Sequence, residues 1–185
     1  HSKLTGIIDD VDTSILSNIT TVKVRKSFTP TLLSSNKYDI YFRNALFNPH
    51  SGHNSAAGGI LSSTGFKIDG NDNEMFLDDD GAGNVRLYQI SSGIRTYVNS
   101  TQGTISYSTG QITLNSLNIA SISNIRGATS TVIELTVTPD SNDVVPVRDQ
   151  IIELDVSNSS ITVASDTFVG GSADAGVGYT TTSSY

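Results

Sequence analysis

The stretch that decides the fold is GTISYSTGQITLNSLNI, residues 103–119. Apolar and polar residues alternate on both sides of the turn formers at 108–110. Alternation with a period of two is typical of a strand that buries one face, and a short glycine-containing interruption between two such runs predicts a hairpin. The antiparallel pairing that we expect places Ile105 and Tyr107 against Leu114 and Ile112.

The same period recurs along most of the chain. Earlier runs are ITTVKVRKSF at 19–28, KYDIYFRNAL at 37–46, GILSSTGFKI at 59–68, NEMFLD at 73–78, NVRLYQI at 84–90 and IRTYVN at 94–99. Later runs are IELTV at 133–137, IIELDV at 151–156 and SSITVAS at 159–165. Asp80-Gly81 separates two of these runs and predicts a second hairpin. About ten to twelve short strands at this spacing predict a mainly β fold, an antiparallel β-sandwich or barrel-like domain with long loops.

The chain divides into three predicted parts. Residues 1–18 have apolar side chains at helical spacing, and we expect a short N-terminal helix or linking arm there. Residues 19–165 form the β domain, with a possible division into two β subdomains near 126, and residues 166–185 form a Gly/Ser/Thr-rich tail. The sequence begins at His1 without an initiator Met, and we expect it to be part of a longer chain.

Composition argues against several classes of partner. The net charge of −7 is unfavourable for nucleic-acid binding, which requires Lys and Arg to neutralise phosphates. The basic residues Lys23, Arg25 and Lys26 lie in one predicted strand, where they are typical of a solvated face. Without cysteine the chain cannot form disulfides or zinc–thiolate sites. No apolar run approaches the length of about 20 residues that spans a bilayer, so we expect no membrane partner.

Three groups of residues are candidates for cation binding. His50 and His53 stand three apart in the loop at 48–59, a spacing that permits joint metal ligation if a carboxylate is added. Asp69, Asn71 and Asn73 have the 1, 3, 5 spacing of a calcium loop, but Glu74 occupies the position of the required glycine. The acidic segments 69–74 and 78–80 could hold a hard cation, or could serve only the turns, in which Asp and Asn are common.

Motifs of catalysis are absent from the sequence. It contains no GxSxG, no HExxH, no GxGxxG and no Walker A lysine motif. Five tyrosines in predicted strands could form a sugar-stacking platform, although strand tyrosines more often pack against their neighbours. These are Tyr38, Tyr41, Tyr88, Tyr97 and Tyr107. We predict that the protein is not an enzyme, with no catalytic, cofactor-binding or metal-binding residues and no small-molecule substrate.

Six stretches together resemble the C-terminal part of the baseplate wedge protein of T-even-like phages, especially the cyanophage versions. They are SILSNITTVKVRKSFTPTL at 14–32, YDIYFRNALFNPHSGHN at 38–54, GGILSSTGF at 58–66, LDDDGAGNVRLY at 77–88, GTISYSTGQITLNSLNI at 103–119 and TVTPDSNDVVPVRDQIIELD at 136–155. Each is an ordinary β pattern by itself, whereas their order is more specific. The resemblance extends from about residue 13 to the C-terminus.

The resemblance implies a structural role in the virion. Members of that family form a ring around the hub of a contractile tail, are assembled in the host cytoplasm and have no enzymatic activity in this part. It implies self-association, as a homodimer, and contacts with other wedge proteins. A receptor- or glycan-binding β domain of a tail fibre or adhesin, prompted by the tyrosines and the HSGH loop, is the alternative. A calcium-stabilised extracellular β domain is a third reading.

Overall fold

Strands dominate the computed structural model, which describes residues 2–12, 18–52, 58–140 and 154–162. The chain divides into two units, His1–Gln150 and Ile151–Tyr185. Within the described ranges of the first unit, a short helix, α1 (Ser2–Asp9), precedes nine strands. They are β1 (Val24–Phe28), β2 (Ser35–Tyr41), β3 (Ser62–Ser63), β4 (Phe66–Ile68), β5 (Asn71–Asp79), β6 (Asn84–Ser91), β7 (Ile94–Ser106), β8 (Gln111–Ile122) and β9 (Ile133–Val137).

Five consecutive strands close into an antiparallel barrel. The order is β4-β5-β6-β7-β8, and β8 completes the circle because it pairs with β7 through residues 111–114 and with β4 through residues 119–122. Strand β2 adds to the other edge of β8. Ser116 has a φ of 45°, and this left-handed residue interrupts β8 between its two partners. Residues 111–114 of β8 are paired on both edges, with β2 and β7.

A second, three-stranded sheet has the order β1-β9-β3, with both pairings antiparallel. Alternate residues of β9 point into the core, so Ile133, Leu135 and Val137 are fully buried. They belong to the same hydrophobic cluster as the barrel residues Phe66 and Met75. Burial of each such side chain stabilises the fold by about 1.5–3 kcal/mol, so one continuous core holds the barrel and the small sheet together.

The β6–β7 hairpin extends beyond the rest of the barrel. Strand β5 accompanies β6 only as far as the pair Met75–Gln89, whereas β6 and β7 continue to the pair Ser91–Ile94. Strand β7 contains extra residues between its partners Thr104 and Tyr97, so its register against β6 shifts twice. These bulges bend the hairpin away from the barrel, and all residues of 94–101 are exposed.

The mainly β, barrel-like fold with one short N-terminal helix is confirmed. Both predicted hairpins are present, and Ile105 lies directly opposite Ile112, with Gly103 opposite Leu114. The predicted pairing of Ile105 with Leu114 is therefore wrong by two residues. Tyr107, which we expected in the strand, belongs to the loop. The runs at 94–99 and 103–106, predicted as separate strands, are one strand, and the run at 59–68 is divided into β3 and β4.

The predicted strand at 151–156 is wrong where the structure describes it. Residues 154–162 contain no strand, and Val156–Asn158 form a single 3-10 turn. Ser157 and Asn158 donate side-chain hydrogen bonds to the Asp155 carboxylate, and such local bonds compete with strand pairing. Residues 151–153, the second half of the predicted strand at 159–165, and the tail at 166–185 lie outside the described residues.

Candidate functional site

Three consecutive aspartates at the end of β5 have three different environments. Asp78 and Asp79 are the last residues of the strand, where successive side chains point to opposite faces of the sheet. Asp78 therefore lies on the outer face and Asp79 on the inner face, although both are buried. Asp80 begins the turn that follows. The triplet is thus not a single cluster of oxygen atoms.

Asp79 joins three segments of the barrel through its carboxylate. Oδ1 accepts hydrogen bonds from the backbone N–H groups of Ile60 (2.7 Å) and Leu61 (2.8 Å). Oδ2 accepts from the Tyr107 hydroxyl (2.6 Å) and from the backbone N–H of Gly81 (3.3 Å). A buried carboxylate is costly unless hydrogen bonds compensate for lost hydration, and four donors do so here. Burial, and then the bond to Asp79, raise the pKa of the Tyr107 hydroxyl well above its ordinary value.

The segment that approaches Asp79 must contain glycine. Gly58 and Gly59 have φ values of +81° and +68°, a left-handed conformation that other residues adopt only with strain. A side chain at Gly59 would collide with the Asp79 carboxylate, and one at Gly58 would collide with the Arg95 guanidinium. The backbone at 58–61 therefore packs directly on the two acidic side chains.

Asp80 stabilises the β5–β6 turn. Its Oδ1 accepts hydrogen bonds from the backbone N–H groups of Ala82 (2.8 Å) and Asn84 (2.9 Å), and its Oδ2 accepts from the Asn84 amide (2.6 Å). Burial alone would raise the pKa of the Asp80 carboxyl, but the hydrogen bonds from Asn84 and Ala82 hold it below its usual range. This is turn chemistry of the kind that Asp commonly provides.

Asp78 is the centre of an ion cluster on the outer face of β5, β6 and β7. Arg86 Nε lies 2.8 Å from Oδ1, and Arg95 Nη1 lies 2.8 Å from Oδ2. The Tyr97 hydroxyl donates to Oδ2 at 3.0 Å. Side-chain exposure rises from 1% for Asp78 to 13% for Arg86 and 42% for Arg95. The carboxylate is therefore buried beneath its two arginines, and Arg95 forms the outer layer of the cluster.

An aromatic row continues from this cluster along the same face. The ring of Tyr88 stacks on Phe76 with centroids 5.6 Å apart and meets the edge of Tyr97 at 6.0 Å. Arg86 lies 4.3 Å from the centroid of the Tyr97 ring, and Arg95 lies 4.6 Å from that of Tyr88. Cations at this distance are attracted to the ring face. We call the surface formed by Phe76, Asp78, Arg86, Tyr88, Arg95 and Tyr97 the Arg–Tyr face.

The candidate cation ligands are used elsewhere. Asp69 accepts a hydrogen bond from Asn118 of the neighbouring strand β8, and Asn71 accepts one from the backbone N–H of Asn73. His50 is exposed, and His53 lies outside the described residues. Across the described residues, no three His, Cys, Asp or Glu side chains are arranged to hold a metal ion. The carboxylates at 78–80 instead receive their hydrogen bonds from protein donors.

The five tyrosines do not form one platform. Tyr38 packs on Phe28 with ring centroids 5.0 Å apart, and Tyr107 points to Asp79. Tyr41 is exposed on β2 beside Gln111. Only Tyr88 and Tyr97 share a ring contact within the part of the chain that the structure describes.

The three basic residues of the first predicted strand lie in different environments. Arg25 forms an ion pair of 2.8 Å with Glu134, and Lys26 donates to the Tyr41 carbonyl at 2.5 Å. Lys23 is exposed.

Sequence reasoning missed Arg86 and Arg95. The Asp80-Gly81 turn indicated that β5 and β6 pair, but the register that sets Asp78 opposite Arg86 is known only from the structure. No comparable signal exists for Arg95, whose position depends on the bulges in β7. Together with Asp78, these two arginines form the ion cluster on the outer face of β5, β6 and β7.

Comparison with known proteins gave no relative. No protein-family model matches the chain, and neither a curated protein nor a solved structure is significantly similar to it. Among the described residues, no helix has the length and apolar character needed to cross a membrane.

Proposed function

We propose that this chain is a non-enzymatic structural component of a contractile phage tail baseplate wedge, which acts through protein–protein contacts and associates with itself. The resemblance of six ordered stretches to the wedge family is the observation that carries the proposal. A closed barrel with one continuous core supports it, because such a scaffold presents its surfaces rigidly. The buried aspartates add support, since their hydrogen bonds hold the barrel together.

The projecting hairpin supplies a surface suited to such contacts. Ile90, Ile94 and Val98 expose 56%, 69% and 45% of their surface near its tip. Ile90 pairs with Arg95 and Ile94 pairs with Ser91, so Ile90 and Ile94 lie on opposite faces of the hairpin. Exposed apolar side chains on a projecting hairpin supply area that another protein can bury. The proposed partners are a second copy of this chain and neighbouring wedge proteins, and the proposed location is the virion.

Light scattering across a concentration series tests the self-association. We expect the mass of a dimer at high concentration and a decrease towards the monomer on dilution. A mass that stays monomeric at every concentration would contradict this part of the proposal, because an interface of a permanent complex typically buries about 2,000 Å² or more.

Glycan or receptor binding is the second candidate, favoured by the ring contact between the exposed Tyr97 and the buried Tyr88. Its weakness is that Arg86 and Arg95 already lie over these two rings, which leaves little free ring face for a sugar. A glycan array compares the wild type with Tyr97→Ala. Binding that disappears in the variant would favour this candidate over the assembly role, and absence of binding across a broad panel would remove it.

A further inference from the structure

The outer edge of β7 is open over eight residues. On one side, Ile94–Tyr97 and Asn99 pair with β6, while Val98, Ser100 and Thr101 lie in the bulges. Pairing with β8 begins only at Gly103. All eight residues are exposed, so no described part of the chain covers this edge. The Thr101 N–H donates locally to the Asn99 side chain at 2.9 Å. An open edge of this length is a template for another strand.

The other long open edges carry more charged residues than this one. Strand β1, which pairs only with β9, contains Arg25 and Lys26. Strand β2, which pairs only with β8, contains Lys37 and Asp39. Natural proteins commonly place such charges on edges to prevent unwanted pairing.

The segment 94–101 has a single charged residue, Arg95, and its guanidinium bonds to Asp78. The ion pair with Asp78 therefore neutralises the one charge on this segment, which would otherwise repel another strand. Its remaining residues, Ile, Thr, Tyr, Val, Asn and Ser, include several of the types that favour strands.

We infer that the open edge of β7, residues 94–101, pairs antiparallel with the same edge of a second copy of this chain across a two-fold axis. The inference rests on the self-association in the proposed function and names the surface that performs it. The product is a continuous sheet in which the β6–β7 hairpins of two copies form four adjacent strands. A two-fold contact is self-complementary, and an antiparallel strand pair satisfies that symmetry by itself.

The charge pattern favours a second copy as the occupant. With the axis near Tyr97 and Val98, Arg95 of one copy faces Asn99 or Ser100 of the other, so no like charges meet. Ile94 then lies across from Ser100 or Thr101. The exposed side chains of Ile94 and Val98 lie on the edge strand itself and are available for burial in the contact.

A charge placed on the edge tests the inference. Thr96→Lys sets a charge on the open segment, and Thr104→Lys is its control because Thr104 is exposed on the same strand but already paired with β8. Sedimentation of the 185-residue chain should show a dimer for the wild type and for Thr104→Lys, with dimer affinity reduced at least tenfold in Thr96→Lys. Equal affinity for both variants would overturn the inference.

Cross-linking locates the contact independently of affinity. The chain has no cysteine, so single cysteines can be placed in turn at Thr96, Tyr97, Val98 and Asn99. A disulfide needs Cα atoms about 4.4–6.8 Å apart, so only positions next to the axis should form a covalent dimer on mild oxidation. Lys37→Cys, on the open edge of β2, is the control and should remain monomeric under denaturing electrophoresis.

The outcomes separate this inference from the proposed function. A wild-type dimer that resists Thr96→Lys and cross-links at none of the four positions would leave self-association standing and overturn the β7 contact. A wild-type monomer at all concentrations would overturn both. A dimer that cross-links at Val98 or a neighbouring position and weakens in Thr96→Lys supports both.

Discussion

The Tyr107 hydroxyl donates a hydrogen bond of 2.6 Å to the Asp79 carboxylate and thereby joins the turn after β7 to the end of β5. The same carboxylate accepts the backbone N–H groups of Ile60 and Leu61, so one side chain holds three parts of the barrel. On the opposite face of β5, the Asp78 carboxylate forms ion pairs with Arg86 of β6 and Arg95 of β7. The two adjacent acids fasten the hairpin that we propose for self-association.

Asp79→Asn should destabilise the protein by about 3 kcal/mol or more, because hydrogen bonds to a charged group contribute about 1.5–3 kcal/mol each and the amide nitrogen cannot accept them. Chemical denaturation measures the free energy of unfolding. Asp72→Asn is the matched control, since Asp72 is exposed on the same strand, and it should change stability by less than about 0.5 kcal/mol. Similar losses in the two variants would contradict the role of Asp79.

Gly59→Ala should destabilise the fold more than Gly70→Ala. Both glycines have left-handed φ values, +68° and +79°, so both variants incur a backbone strain of about 1–2 kcal/mol. Only at Gly59 does the added methyl group also collide with the Asp79 carboxylate and its backbone carbonyl, while the space around Gly70 is open. Thermal unfolding measures the difference. Equal melting temperatures would show that the close approach of 58–61 to Asp79 is absent in solution.

The stability difference between the wild type and Tyr107→Phe should shrink at alkaline pH. At neutral pH the variant lacks the bond to Asp79 and should be less stable by about 1.5–3 kcal/mol. The folded state raises the pKa of Tyr107 above its ordinary value of 10.0, so the stabilisation is complete below pH 10. Above that pH the unfolded chain ionises first, and the advantage of the wild type falls by about 1.4 kcal/mol per pH unit.

Denaturation of both proteins between pH 8 and pH 11 checks this sign. The other tyrosines titrate in both proteins and cancel in the comparison. A difference that is constant or grows with pH would mean that Tyr107 does not keep its proton in the folded state.

Arg86→Ala should cost more stability than Arg95→Ala, although both arginines bond to Asp78 at 2.8 Å. The Arg86 side chain is 13% exposed, and its loss leaves a buried carboxylate short of a partner, which typically costs about 3–5 kcal/mol. Arg95 is 42% exposed, where ion pairs contribute about 1 kcal/mol or less. Urea denaturation of the two variants gives the comparison. A reversed order would contradict the layering of the cluster.

The sequence predicted the strands because burial of one face imposes a period of two, as in Tyr38, Ile40 and Phe42. It predicted the hairpins because Asp80-Gly81 and Gly110 favour turns, and Gly81 and Gly110 have positive φ values. It could not reveal that β7 is continuous through 94–106, since the bulges depend on the packing of β6 against β7. Residues 154–156 of the run at 151–156 show the converse, because they alternate in the sequence but are not in a strand where the structure describes them.

The ion cluster around Asp78 could not be predicted from the sequence for a related reason. The sequence presents Asp78 as one of three consecutive acidic residues. Because consecutive residues of a strand point to opposite faces, the three side chains lie in three different environments. Arg95 is 17 residues from Asp78 and reaches it only through two hairpins with an irregular register. Such contacts follow from three-dimensional pairing that spacing along one chain does not encode.

Amide hydrogen exchange at two protein concentrations tests the central claim, that the open β7 edge acts by pairing with a second copy. In concentrated wild-type protein, outward-facing amides within 94–101 should exchange more slowly than in dilute protein, while amides of 103–106, already paired with β8, should exchange alike at both concentrations. Thr96→Lys should abolish the concentration dependence. Exchange of 94–101 that is equally fast at both concentrations, in a sample whose mass is dimeric, would contradict the claim.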